Sequence, residues 1–119
     1  MSRPEPIHQG SVFDLAAIDA EMRREDAYRG GGHTARTLVR EDDMRIVLIV
    51  MRAGARIAEH GANDTASIHA ISGHVRVRLP NNAVDLPAGR LLVLERGLRH
   101  DVEAVAESAF LLTLGWQAK

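Results

Sequence analysis

Two of the six histidines, His60 and His100, stand in stretches ordered by glycines. Five residues separate Gly54 from His60, and Gly73 follows; five separate Gly89 from Glu95, and Gly97 and His100 follow. An imidazole is a borderline ligand that suits zinc, iron, nickel or copper. The ordinary role of such a histidine is humbler: a polar ring near a turn with a hydrogen-bond partner. His8, His33 and His74 fall in arms or turns, where solvation is the default. The chain has no cysteine, which excludes thiolate ligands, thiol nucleophiles and a disulfide framework.

The elements that must position these residues read as short strands. Thr34 to Arg40, Arg45 to Met51, Ala66 to Ile71, Val75 to Leu79, Leu91 to Leu94 and Ala109 to Leu114 have strand character. Gly54, Gly73, Gly89 and Gly97 punctuate them as turns. In Val75–Leu79 apolar residues alternate with Arg76 and Arg78, as in a strand with one face in water. Arg45 to Met51 is apolar on both faces: Ile46, Leu48 and Val50 on one, Val47, Ile49 and Met51 on the other. Between Gly73 and Gly89 there is room for two short strands around the turn at Pro80, Asn81 and Asn82. Many short strands divided by glycine turns predict an all-β sandwich or barrel. Ahead of them, Leu15, Ile18 and Met22 make one face of a short helix within Ser11 to Glu25, with Asp14 or Ser11 as its cap. Gly30, Gly31 and Gly32 then read as a loop. The chain divides into an arm with a short helix, 1–33, and a barrel, 34–119.

This spacing resembles the cupin superfamily, whose two motifs run G-x5-H-x-H-x3,4-E-x6-G and G-x5-P-x-G-x2-H-x3-N. Gly54, His60, Gly73, Gly89, Gly97 and His100 match; Ala62, Ala66, Glu95 and Ala104 depart from it. The resemblance spans about Thr34 to Leu114 and implies a double-stranded β-helix, or jelly-roll, barrel. It further implies that His60 and His100 point into the barrel and bind one divalent metal: zinc, iron, nickel or manganese. Ala62 and Ala66 stand where the motif has a second histidine and a glutamate, so two ligands are missing. Two imidazoles make a weak site, since protein metal sites use three or four side chains. Asp64, in the same loop, or His69 is the candidate replacement. Strand parity opposes His69: with Ala66, Ile68 and Ala70 inward it faces outward, unless a bulge shifts the register. By the same parity Glu59, Asp101 and Glu103 point away from the barrel. Arg90, Arg96 and Arg99 cluster at the second motif and could meet an anionic ligand at the barrel mouth.

The remaining composition narrows the partners. Net charge is −1 with signs interspersed, and aromatics make up 3%, so neither a basic stripe nor a stacking platform suggests nucleic acid. No apolar run approaches the ~20 residues of a membrane span, and the mostly polar, proline-containing start lacks a signal-peptide core. The expected location is the cytoplasm. The expected function is a small stand-alone cupin that binds a small molecule, its metal site degraded. The alternative is a metal-dependent enzyme of dioxygenase or isomerase type that uses His60 and His100. A third reading is a module that acts by dimerising, with a filled barrel interior. A homodimer that buries the second face of Arg45 to Met51 is expected, unless the helix covers that face.

Overall fold

The computed structural model describes residues 4–6, 9–61 and 63–115, with the backbone alone at 59–61. Ala62 lies outside the described residues, as do His8 and the side chains of Glu59 and His60. Nine strands among the described residues form two antiparallel sheets. The first sheet holds β1 (His33–Arg40), β2 (Met44–Met51), β9 (Ser108–Gly115), β4 (Thr65–Ser72) and β7 (Leu91–Leu94), in that spatial order. The second holds β3 (Arg56–Gly61), β8 (Arg99–Ala104), β5 (His74–Arg78) and β6 (Ala83–Pro87). This is the expected all-β jelly-roll. The ends of the six strands given bounds above differ from the expected ones by at most one residue. β3, with weak alternation, was not separable from the motif loop by sequence pattern.

Inner faces follow the period of two. Val47, Ile49 and Met51 of β2 meet Ala66, Ile68 and Ala70 of β4 and Phe110 of β9. From the second sheet come Val75, Val77, Leu86, Val102 and Ala104. The turn from β4 to β5 demands its glycine: Gly73 has φ +74°, and a Cβ there would fall on the Glu107 carbonyl and the Ser108 hydroxyl. The Ser108 Oγ in turn accepts from the His74 N–H at 2.9 Å.

The other face of β2 is covered by the chain itself. Two helices, α1 (Leu15–Met22) and α2 (Asp26–Gly31), lie over it. Asp14 caps α1 by accepting from the Ala17 N–H at 3.1 Å, a contact worth about 1 kcal/mol. The expected glycine loop is instead the end of α2: Gly30 and Gly31 are helical, and Gly32, at φ +87°, closes the helix by donating to the Tyr28 carbonyl. A left-handed residue at that position is what glycine permits. Met22 and Tyr28 pack with Leu48, Val50, Leu38 and Val39. Ion pairs fasten the edges: Arg36 to Glu25 at 2.7 Å and to Glu21 at 3.1 Å, and Arg23 to Glu107 at 2.6 Å. The face that argued for a homodimer is therefore closed within one chain. The other face, with Ile49, lines the interior.

The outer face of the second sheet is the opposite in character. Asp101 and Glu103 of β8 point outward, as parity predicts, and pair with Arg56 and Arg78. His74, Arg76 and Asp85 continue this ladder toward the sheet edge.

Candidate functional site

Three rows of directly paired residues cross the inner face of the first sheet: Arg45–Leu114–Ala66, Val47–Leu112–Ile68 and Ile49–Phe110–Ala70. The largest apolar side chain, Phe110, stands in the third row, whereas the first offers only Leu114 and Ala66 beside the arginine. Opposite, β5 pairs with β8 only from Ala104 as far as Asp101. Beyond that, at His100, the second sheet has narrowed to β3 and β8. Small side chains on one wall and missing strands on the other leave a cavity of about 330 Å³. Its apolar lining comes from Ala35, Val47, Ile49, Ala66, Leu112 and Leu114, and its polar lining among the described residues is Arg45 and His100.

His100 is 3% exposed. The turn before β8, with Gly97 at φ +78°, brings the Leu98 carbonyl within 3.1 Å of the His100 Nδ1. A carbonyl oxygen only accepts, so Nδ1 donates. On β3 a bulge lies between Ile57, which opposes Val102, and His60, which opposes His100. Without that extra residue, position 59 would stand opposite His100 and position 60 would not. The backbone thus brings His60 and His100 into one register pair; the His60 side chain lies outside the described residues.

The other expected ligands fall away from this point. His69 is exposed on the outer face of the first sheet, while Ala66, Ile68 and Ala70 are buried on the inner one. No bulge rescues it, because the shift in β4 lies beyond, between Ala70 and Ser72. Asp64 is half-buried in the β3–β4 connection and is not among the residues that line the cavity. Among the described residues, no group of three or more histidine, aspartate or glutamate side chains could hold a metal ion. Ala66 lines the cavity at the motif's carboxylate position and offers no donor. The described residues therefore do not fit a resident divalent metal.

Arg45 is the site residue that sequence reasoning missed. Arg90, Arg96 and Arg99 are exposed and do not line the cavity. Arg45 does, because it shares the inner parity of Val47, Ile49 and Met51. Its Nη2 donates to Thr37 Oγ1 at a long 3.4 Å. Its Nε is buried with no hydrogen-bond partner.

No known family profile matches the sequence, and no curated protein is significantly similar to it. Solved structures are similar in fold. A conserved protein of unknown function from Streptococcus pyogenes is 24% identical, with a TM-score of 0.76 over 100% of this chain and 98% of its own. A cupin superfamily protein from Desulfitobacterium hafniense is 14% identical, with a TM-score of 0.75 over 98% and 100%. A salicylate 1,2-dioxygenase from Pseudoaminobacter salicylatoxidans is 14% identical, with a TM-score of 0.77 over 87% of this chain but 34% of its own. Likeness at these identities shows the fold and leaves the chemistry to the residues.

Proposed function

We propose that this chain, which has the cupin fold, binds a small and largely apolar molecule in the open end of its barrel without a strong resident metal. The observation that carries this reading is the cavity of about 330 Å³ between the sheets, with Ala66 on its wall where the motif has a carboxylate ligand. Its volume lies at the small end of ligand pockets. The interior is not filled at this end, which argues against a purely structural module. Ala66→Leu tests the reading. The added side chain enters the cavity, so binding of small apolar probes followed by calorimetry should vanish while the fold persists. Unchanged binding would place the ligand elsewhere.

The second reading is a metal-dependent enzyme of dioxygenase or isomerase type that uses His60 and His100. One observation favours it: the Leu98 carbonyl accepts from the His100 Nδ1, the kind of contact that metal-binding imidazoles make through their other nitrogen. The dioxygenase among the structural neighbours keeps this reading in view. Metal analysis of untagged protein separates the two. The binding reading expects far less than about one equivalent of zinc, iron, nickel or manganese even after reconstitution, because two imidazoles fall short of the usual three or four ligands. About one retained equivalent would favour the enzyme.

A further inference from the structure

Five arginines on the barrel's outside have carboxylate partners. Arg23 pairs with Asp19 and Glu107, Arg36 with Glu21 and Glu25, Arg56 with Asp101, Arg76 with Asp85, and Arg78 with Glu103. Arg45 faces into the barrel and has none among the described residues. Its described side-chain contact is the long one to Thr37, and its Nε is buried and unpartnered. Arg45 is half-buried, and a partly desolvated charge gains from a counter-charge. Arg45 lines the cavity, and a guanidinium in a partly desolvated pocket can receive a planar oxyanion through two parallel hydrogen bonds.

The rest of the pocket limits what carries that anion. Beside Arg45 the walls are Val47, Ile49, Leu112, Leu114 and Ala66, all apolar. No aspartate or glutamate among the described residues lines it, so nothing there opposes a negative charge. His100 adds an imidazole whose Nδ1 is committed to the Leu98 carbonyl. A phosphorylated or sugar-like ligand would leave many polar groups against aliphatic walls. A compact hydrocarbon body bearing one carboxylate matches both halves of the pocket.

We infer that the cavity selects small monocarboxylates, with Arg45 clamping the carboxylate and the aliphatic walls taking the hydrocarbon body. This rests on the proposed ligand-binding role of the same cavity and names the ligand's class. It also accounts for keeping a lone arginine in an otherwise apolar row.

The test uses matched acid and amide pairs, because the amide keeps the shape and loses the charge. Benzoate with benzamide and 4-methylpentanoate with 4-methylpentanamide are titrated into the full chain by calorimetry. The acids should bind at least about tenfold more tightly than their amides, the usual scale of a charge-assisted pair. Arg45→Gln should erase that preference. Arg45→Lys, which keeps the charge but not the fork, should retain part of it and guards against a variant that merely unfolds. Equal binding of acids and amides, unchanged by either substitution, would overturn the carboxylate assignment while leaving the cavity reading intact. Binding of neither acids nor amides would overturn both.

Discussion

The two ends of the barrel interior are built from the same strands by the same alternation, and they come out differently. At one end Phe110, Met51, Ile68, Val75 and Val77 are each at most 1% exposed. At the other, Ala35, Ala66, Leu112 and Leu114 surround open space. Two things change between them. On the inner face of β9, Phe110 gives way to the smaller Leu112 and Leu114, with Ala66 beside the latter. The facing sheet also loses its partners, since β5 pairs with β8 no further than Asp101. A site in this fold is thus a place where packing stops before the strands do. The fold is stabilised by the filled end, which leaves the open end free to vary.

That contrast can be broken by mutation. Phe110→Ala should cost about 3–5 kcal/mol, the range for emptying a close-packed aromatic site. Leu112→Ala, two residues along the same strand and face, should cost about 1–2 kcal/mol, because it borders space that is already empty. Chemical denaturation reads both, and equal losses would contradict the division. A second pair sharpens it. Ala66 and Ala70 lie on one face of β4, and the same change to leucine should have unlike effects. Ala70→Leu overpacks the filled end and should cost about 1–3 kcal/mol. Ala66→Leu enters the cavity and should shift stability by less than about 1 kcal/mol.

Smaller effects come from the surface. The hydroxyl of Thr34 and the guanidinium of Arg36 hold the Glu25 carboxyl below its usual range. His74 and Arg76 do the same for Asp85, and Arg78 for Glu103. A carboxyl whose pKa is lowered by folding contributes stability above its unfolded pKa and loses it as pH falls through the folded value. Melting temperature should therefore be level from neutrality to about pH 5 and fall below about pH 4. Glu25→Gln should flatten part of that fall. The slope should be shallow, as exposed pairs contribute little. Assembly is the last test. With Leu48 and Val50 under the helices, light scattering should give a mass near the 13.0 kDa of one chain. Twice that mass would mean association through another surface, with exposed Leu91 and Val93 the first positions to probe.

Much of the fold was legible because alternation is strong where a strand has one wet face or two dry ones. β2 showed both its faces, and Asp14 was one of two caps the sequence offered for α1, Ser11 being the other. His69 was correctly placed outward by counting from Ala66. The helix α2 was hidden because two of its six residues are glycines, whose freedom suits loops as well as helix ends. The bulge in β3 was hidden too: one extra residue leaves no mark on composition yet decides whether position 59 or 60 stands opposite His100. Arg45 was overlooked for a different reason. Its parity with Val47 was visible, but a charged residue at a strand's first turn is usually solvated, and the cavity that gives it meaning is a property of the whole barrel.

The most direct test of the division is a titration of methyl-labelled protein with benzoate, observed by NMR without added metal. The account predicts shifts confined to the methyls of Val47, Ile49, Leu112 and Leu114, with Val75, Val77 and Val102 unmoved. Shifts centred on Leu91 and Val93, or none at any of these positions, would contradict it.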